Sequence, residues 1–245
     1  MSLSSSDIQN NLVSIRERML LAAAEAGRDV NDIRLIAVSK YMPPDYVQAA
    51  MSAGQHCFGE NTLQDARSKQ KLLEDPQNEW HFIGHLQSNK AKAIPGKFAW
   101  LHTLDSLKLA SKLSASAIHA EKTLNVLLQV NIAQDPDKFG LPVESVYPFI
   151  EELLHAGLTG IRLRGLMAIG HRNASGDEAR ANFAALRELG EGCAQRFDAR
   201  HFSELSMGMS NDFELAIAEG ATLIRVGSSI FGPRPAAATT HSVTP

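Results

Sequence analysis

Cysteine is scarce in this sequence. Only Cys57 and Cys193 occur among the 245 residues, in the stretches HCFG and EGCAQ, so there is no CxxC pair. This spacing excludes the usual dithiol redox motif and the zinc sites built from paired cysteines. Both thiols are therefore predicted to be reduced and packed, and no metal site is predicted.

Long apolar runs and an excess of positive charge are also missing. No window approaches the ~18 apolar residues of a membrane-spanning helix, and the N-terminal MSLSSSDIQNN has neither the basic leader nor the apolar stretch of a secretory signal. A formal net charge of −3 gives no general attraction to phosphate backbones. These absences predict a cytoplasmic protein with no membrane and no nucleic-acid partner.

The rest of the composition is typical of a globular protein, with 44% apolar and 21% charged residues. No shift in composition divides the chain into two domains. Only the segment PRPAAATTHSVTP, from Pro233 onward, is small, polar and proline-containing. We therefore predict one domain over residues 1–232 and a disordered C-terminal tail over residues 233–245.

Short apolar runs recur at fairly even intervals and predict strands. The predicted strands are Leu35–Val38, His56–Phe58, Trp80–Ile83, Trp100–Leu104, Leu124–Val130, Arg162–Ile169, Phe202–Leu205 and Leu223–Val226. The predicted helices between them are Asp45–Ser52, Thr62–Leu73, Ser106–His119, Val143–His155, Asp177–Phe197 and Asp212–Ala218. An additional amphipathic helix precedes the first strand, with a predicted capping box of Ser6 and Gln9 and an end at Gly27.

Strands that are apolar on both faces and alternate with helices predict an α/β fold with a parallel sheet. Eight such units in about 200 residues favour a single (β/α)8 TIM barrel with an extra N-terminal helix. A doubly wound sheet is the alternative. The first strand-to-helix turn, VSKYMPP, lacks the GxGxxG phosphate loop of such sheets, which favours the barrel.

In a (β/α)8 barrel the chemistry lies at the carboxyl ends of the strands. Lys40 follows the first strand, where a buried ammonium is costly unless it reaches water, finds a partner or acts as a nucleophile. The last two strands end in SMGMS and VGSSIFG, whose small residues could form a phosphate-binding cup. A lysine opposite such a cup predicts a phosphorylated carbonyl compound held as a Schiff base.

Two other groups near these strand ends have less specific interpretations. Asn61 is either a helix cap or a cofactor contact, and Glu60 is either a surface charge or part of the mouth. His81 and His85 are four residues apart, but they lie across a strand end with no acidic partner at ligand spacing, so a metal pair is not predicted.

Six motifs, in order, resemble the pyridoxal 5′-phosphate homeostasis proteins, single-domain barrels similar to the N-terminal domain of alanine racemase. They are VSKYMPP, FGENTLQDARSK, WHFIGHLQSNK, GLMAIG, LSMGMSNDFELAIAEGAT and IRVGSSIFG, and they run from about Arg34 to Gly232. The resemblance implies pyridoxal 5′-phosphate (PLP) as cofactor and an internal Schiff base on Lys40.

The resemblance also implies the roles of the remaining site residues. The phosphate would be held by the two glycine- and serine-containing loops, and Arg225 would face the pyridine nitrogen. The loop residues concerned are Ser206, Met207, Gly208, Gly227 and Ser228. Three residues depart from the family pattern: Tyr41 and Met42 follow the lysine, and Asn211 stands where many members have aspartate.

Two functions are compatible with this site. One is a protein that holds PLP reversibly for vitamin B6 homeostasis, with PLP-dependent apoenzymes as possible acceptors and without significant catalysis. The other is a PLP-dependent racemase or related enzyme, which needs a base on each face of the cofactor. Tyr41 is the only tyrosine predicted near the mouth, and its side chain should diverge from that of its neighbour Lys40. The carrier function is therefore favoured, and a monomer is expected.

Overall fold

A computed structural model of the protein describes residues 3–170 and 174–233, which form a closed barrel of eight parallel strands. The strands are β1 (Arg34–Val38), β2 (Cys57–Glu60), β3 (Glu79–Phe82), β4 (Trp100–Leu104), β5 (Leu124–Gln129), β6 (Ile161–Met167), β7 (Glu204–Ser206) and β8 (Leu223–Val226). Each strand pairs with the next, and β8 pairs with β1, with Arg225 beside Ile36. The predicted (β/α)8 fold is confirmed.

Helices cover the outside of the barrel. They are α1 (Ser5–Glu25), α2 (Pro44–Ser52), α3 (Leu63–Leu72), α4 (Leu107–His119), α5 (Val146–His155), α6 (Gly176–Arg196), α7 (Phe213–Ala218) and α8 (Ser228–Phe231). Strand β3 is followed by a 3-10 segment, Ser88–Ala93, instead of a regular helix. Among the residues described, no helix combines the length and the apolar character needed to cross a membrane.

Helix α1 is the predicted extra N-terminal helix, but its capping box was assigned to the wrong residues. The cap is Ser4, whose Oγ accepts from the Asp7 backbone N–H at 3.1 Å, while Asp7 accepts from the Ser4 N–H at 2.8 Å. Aspartate therefore takes the role expected of Gln9. The buried stripe Ile8, Leu12, Ile15 and Met19 then packs against the barrel.

The barrel interior contains a small apolar cluster with polar groups above and around it. Ile36, Trp100, Leu127, Met167 and Leu223 form the apolar cluster. His81, His102, Ser206 and Arg225 are buried as well, although each carries polar atoms. Because buried polar groups need partners, this interior must be hydrogen-bonded.

The predicted limits of the folded domain, residues 1 and 232, remain a prediction. Of the predicted disordered tail, only Pro233 belongs to the described part of the chain, and residues 234–245 lie outside it. The seventh strand is displaced from its prediction, Phe202–Leu205, and includes Ser206 at its carboxyl end.

Candidate functional site

The loop that carries Lys40 leaves the carboxyl end of β1 in a tight turn. The Met42 N–H donates to the Ser39 carbonyl at 3.0 Å, and Tyr41 adopts a left-handed conformation with φ of 65°. A non-glycine residue in this region is strained unless its surroundings hold it. Pro44 then starts α2, which limits the turn to a few residues.

A buried cluster of charges beneath this turn holds it in place. Lys69 of α3 donates from Nζ to the Ser39 carbonyl at 2.5 Å, to Glu60 Oε1 at 2.7 Å and to Asp65 Oδ2 at 3.0 Å. Asp65 also accepts from the Tyr41 N–H at 2.6 Å, which fixes the left-handed residue. The Lys69 cluster, defined as Ser39, Glu60, Asp65 and Lys69, therefore sets the path of the lysine loop.

Glu60 is a core residue and not a surface charge, so that interpretation is wrong. Its side chain is fully buried and accepts from the Ser39 hydroxyl at 2.6 Å as well as from Lys69. Burial raises the pKa of this carboxyl to about 7, and the charge of Lys69 acts in the opposite direction. The charge of Lys69 limits this rise, so that Glu60 becomes ionised at about pH 7.

Asn61 lies at the mouth of the barrel, one residue beyond the buried glutamate. It is not the helix cap, because Thr62 caps α3 by accepting from the Asp65 N–H at 3.3 Å. Its Nδ2 donates to the Tyr41 hydroxyl at 3.3 Å, while its Oδ1 is buried without a partner. A bound molecule with a hydrogen-bond donor could satisfy this buried acceptor at the mouth.

The loops after β7 and β8 contact each other through hydrogen bonds at Ser210. Ser210 Oγ accepts from the Gly227 N–H at 3.2 Å and from the Ser229 N–H at 3.4 Å. Gly208 has φ of +86°, and a side chain there would come within 2.5 Å of the Ala216 Cβ, so only glycine allows this close packing.

Backbone donors at these loops are available to a ligand. In residues 3–170 and 174–233, the N–H groups of Gly208 and Ser228 have no protein acceptor, and Ser228 is exposed. Unpaired donors next to small residues can bind an anion. The two loops thus have the features of the predicted phosphate cup. Met207, in the loop after β7, is fully buried in the core, and its N–H donates to the Leu223 carbonyl.

Ser206 and Arg225 are partners of each other in the barrel interior. The Arg225 guanidinium donates to Ser206 Oγ at 2.5 Å and to the Ala168 carbonyl at 2.9 Å. Burial lowers the pKa of Arg225 to about 10. None of the described carboxylates lies within ion-pair distance of it, although the charge of Asp212 acts against the effect of burial.

The Ser206 hydroxyl has a different neighbour from the one predicted. It lies 2.9 Å from His102 Nδ1, in addition to accepting from Arg225. A serine hydroxyl has one proton, and an acceptor inside the barrel already takes it. The prediction that this hydroxyl donates to a phosphate is therefore revised, and Ser206 is assigned to the support of Arg225.

Two histidines continue this set of contacts toward the amino-terminal end of the barrel. His102 Nε2 lies 2.9 Å from His81 Nδ1, and His81 Nε2 lies 3.0 Å from Glu79 Oε1. The sequence alone indicates no role for either residue and only argues against a metal pair of His81 and His85. The alternation of β3 and β4, with His81 and His102 on inward positions, is the signal that could have identified them.

Three residues that could bind a metal ion lie close together at the amino-terminal end of the barrel, but their surroundings favour hydrogen bonding. One ligand atom from each of Cys57, Glu79 and His81 lies within 4.8 Å of the others. Arg34 donates to the same Glu79 oxygen at 2.9 Å, and burial raises the pKa of the Cys57 thiol to about 11. A protonated thiol and an adjacent guanidinium both oppose cation binding.

The opposite end of the barrel has a cavity of about 450 Å³ that includes Arg28, Arg34 and Glu204. Its guanidinium groups are already bonded, Arg28 to the carbonyls of Ile217 and Ala221 and Arg34 to Glu79. Chemistry in this fold class belongs to the other end, where Lys40 lies. We therefore assign the functional site to the mouth formed by the carboxyl ends of the strands.

The sequence matches the family described as alanine racemase, N-terminal domain, over residues 8–235. The pyridoxal phosphate homeostasis protein of Pseudomonas aeruginosa is 43% identical over 229 residues, which cover 94% of this chain and 96% of that protein. The pyridoxal phosphate homeostasis protein of Escherichia coli is 39% identical over 236 residues, covering 93% of this chain and 97% of that protein.

Solved structures show the same relationships. PipY of Synechococcus elongatus, with PLP bound, superposes with a TM-score of 0.81 at 37% identity, covering 92% of this chain and all of that one. An alanine racemase of Clostridium difficile superposes with a TM-score of 0.68 at 15% identity, covering 95% of this chain and 58% of that one. The second similarity is one of fold alone.

Proposed function

Because the chain belongs to the family of pyridoxal phosphate homeostasis proteins, we propose that it binds PLP at the mouth of the barrel and serves homeostasis of this cofactor. One observation carries the proposal. Lys40 lies at the rim of a barrel whose last two strand ends offer unpaired backbone donors, and the similar PipY has been solved with PLP bound. An amine and an anion cup are the two groups that an aldehyde phosphate requires.

The residues of the mouth fit this cofactor. The orphaned acceptor of Asn61 and the unpaired N–H groups of Gly208 and Ser228 are all polar groups that a bound molecule would satisfy. We propose that Lys40 holds the cofactor as a Schiff base and that the loops of Gly208, Gly227 and Ser228 hold its phosphate, with the N–H groups of Gly208 and Ser228 as donors because that of Gly227 donates to Ser210. Arg225, buried and without an ion pair, would face the pyridine nitrogen.

The charge of Arg225 bears on what this site can do. PLP, when bound, can act as an electron sink for carbanion chemistry, and it does so best with its ring nitrogen protonated. A guanidinium beside that nitrogen opposes its protonation. The residue that anchors the ring therefore also weakens it as a sink, which favours storage over catalysis.

A second acid or base is the other requirement of a racemase. Of the three tyrosines in the sequence, Tyr46 accepts from the Leu3 N–H at 2.8 Å, and Tyr147 lies on α5 against Arg196. Tyr41 alone lies at the mouth, next to Lys40 in sequence and bonded to Asn61. We therefore propose a carrier without significant catalysis, a monomer in the cytoplasm whose acceptors are PLP-dependent apoenzymes.

Exchange of the α-proton separates the carrier from the alternative, a PLP-dependent racemase or related enzyme. The purified protein with PLP is incubated with L-alanine or L-serine in D₂O, and deuterium incorporation is followed by NMR. We expect exchange no faster than with free PLP, because general acid–base catalysis by a positioned group is typically worth about 10²–10⁴-fold. Turnover above about 1 s⁻¹, within the usual enzymatic range, contradicts the carrier proposal.

Replacement of Ser228 tests the phosphate cup. Ser228→Ala removes the exposed hydroxyl, which we propose donates to the phosphate in addition to the backbone N–H of Ser228. Loss of this hydroxyl is expected to weaken PLP binding by about 1–3 kcal/mol, the range for hydrogen bonds to charged groups, and to leave binding of pyridoxal unchanged. Ser206→Ala is the comparison, because it acts through Arg225 and should affect both compounds. Equilibrium titration by absorption gives the affinities. Equal losses of PLP and pyridoxal in Ser228→Ala would remove Ser228 from the phosphate site.

A further inference from the structure

The interior of the barrel contains an unbroken row of polar side chains between Arg225 and the amino-terminal end. Its contacts are Arg225 to Ser206 Oγ at 2.5 Å, Ser206 Oγ to His102 Nδ1 at 2.9 Å, His102 Nε2 to His81 Nδ1 at 2.9 Å, and His81 Nε2 to Glu79 Oε1 at 3.0 Å. His81, His102 and Ser206 have no exposed surface.

We infer that these residues form a hydrogen-bond chain with one fixed direction, and that Glu79 thereby acts as a positioning residue for Arg225 from the opposite end of the barrel. The effect of Glu79 on cofactor binding rests on the proposed function, in which Arg225 faces the PLP ring. The direction of the chain is independent of that function.

The direction can be assigned from the Arg225 end. Guanidinium groups only donate, so Ser206 Oγ accepts from Arg225. The hydroxyl must then donate its own proton to an acceptor, and His102 Nδ1, 2.9 Å away, is the acceptor within hydrogen-bond distance. This makes His102 the neutral tautomer with its proton on Nε2, which must donate to His81 Nδ1.

The Glu79 end gives the same assignment independently. Arg34, whose guanidinium only donates, bonds to the same Glu79 oxygen at 2.9 Å, and the contacts with His81 and Arg34 hold the pKa of Glu79 down at about 2, so the carboxylate is ionised and only accepts. His81 Nε2 must therefore donate to it, and His81 Nδ1 must accept from His102. The assignments from the two ends agree at every contact, and no donor faces another donor.

Burial is the main reason that both imidazoles are neutral, although contact with the Glu79 carboxylate raises the pKa of His81. Burial lowers the pKa of His81 and, more strongly, that of His102, with Arg34 and Arg225 adding to the effect on His102. The indole of Trp100 stacks on His81 at 5.6 Å, which excludes water from that side. A doubly protonated imidazole would be a further cation between two arginines.

The carboxylate is what prevents reversal of the chain. An amide in place of Glu79 could donate to His81 Nε2, which would move both imidazole protons to Nδ1. Ser206 would then receive donors from both His102 and Arg225, and the contact that holds Arg225 would be weakened. Glu79 thus determines at one end of the barrel how firmly an arginine is held at the other.

Nitrogen-15 NMR of the histidine rings in the protein without PLP tests the direction. We expect His81 and His102 to be neutral, protonated on Nε2, and non-titrating between pH 5 and 8. Glu79→Gln should shift both signals toward the Nδ1-protonated form. Nδ1 protonation of either ring in the unsubstituted protein, or titration of either ring in this range, overturns the proposed chain.

Titration with PLP tests the positioning role, with Glu204→Gln as the matched control. Glu204 also lies at the amino-terminal end of the barrel but bonds to Thr222, at 2.8 Å, and has no link to Arg225. Glu79→Gln is expected to raise the Kd for PLP by about tenfold, the typical cost of one weakened hydrogen bond to a charged group, and to alter its visible absorption. Glu204→Gln should do neither.

The outcomes separate the inference from the proposed function. Unchanged affinity and absorption in folded Glu79→Gln overturn the positioning role, even if stability falls. If Glu79→Gln does not fold, Ser206→Ala breaks the chain beside Arg225, and unchanged absorption of PLP in that variant overturns the role equally. Failure of the unsubstituted protein to bind PLP at Lys40 contradicts the proposed function instead, and the NMR result still decides the direction of the chain.

Discussion

Replacement of Lys69 with methionine is expected to lower the free energy of unfolding by about 3–5 kcal/mol at pH 8, the usual cost of removing one partner of a buried ion pair. The ammonium is 1% exposed and makes all three of its hydrogen bonds inside the protein, to Ser39, Glu60 and Asp65. Methionine fills similar volume but leaves the buried Glu60 carboxylate without its cation. Urea denaturation measures the loss.

The pH dependence of this variant follows from the pKa of Glu60. Burial raises that pKa from 4.5 to about 7, so its contribution to stability is present below pH 4.5 and is lost as the pH rises to about 7. Without Lys69 the pKa should rise further. Above pH 7 the unfolding free energy of Lys69→Met should therefore keep falling relative to that of the unsubstituted protein, by at most about 1.4 kcal/mol per pH unit.

Lys71→Met is the matched control for Lys69→Met. Lys71 lies on the same helix but is exposed, so its replacement should change stability by less than about 0.5 kcal/mol. The double variant Glu60→Gln/Lys69→Met should recover part of the loss, because it removes the stranded charge. If Lys69→Met and Lys71→Met were equally stable at pH 8, the Lys69 cluster would have no structural role.

Substitution of Arg225 with glutamate should have an effect of similar size. The new carboxylate would be buried beside the Ala168 carbonyl and near Asp212, with no cation among the described neighbours to pair with it. We expect the unfolding free energy to fall by about 3–5 kcal/mol, the range for an uncompensated buried charge. Thermal unfolding of the protein without PLP measures this loss, and a variant as stable as the unsubstituted protein would contradict the buried position of Arg225.

Arg225→Gln separates the contact with the ring from the effect on stability. Glutamine can still donate one hydrogen bond, so its cost in stability should be nearer to about 1 kcal/mol. Loss of the positive charge should let the pyridine nitrogen take a proton more readily and change the visible absorption of bound PLP. Unchanged absorption in folded Arg225→Gln would show that this residue does not face the ring. Proton exchange on amino acids should stay very slow in either variant.

The barrel could be predicted from the sequence because its signals are local. Runs such as Leu35–Val38 and Leu223–Val226 are apolar throughout, and parallel strands buried on both faces require this pattern. The observed strands β1 and β8 differ from these predictions by at most one residue. The capping box of α1 was misassigned because several serines near the N-terminus offer alternative caps.

The site was only partly predictable, because its support depends on contacts between distant residues. Lys40 and the two serine-containing loops lie at strand ends, and position alone marks them as candidates. The pairing of Glu60 with Lys69 crosses from β2 to α3, and that of Ser206 with His102 crosses from β7 to β4. No spacing pattern in the sequence predicts that these residues will be in contact. For this reason Glu60 could not be distinguished from a surface charge, and Ser206 was assigned to the phosphate.

Borohydride reduction followed by peptide mapping tests the central claim most directly. The protein is incubated with PLP, reduced, digested, and analysed for the pyridoxyl adduct by mass spectrometry. We predict bleaching of the visible absorption and a single major adduct, on Lys40, which Lys40→Ala abolishes. An adduct on Lys90 or Lys92 instead, or visible absorption that persists in Lys40→Ala, would contradict the assignment of the cofactor to the mouth of this barrel.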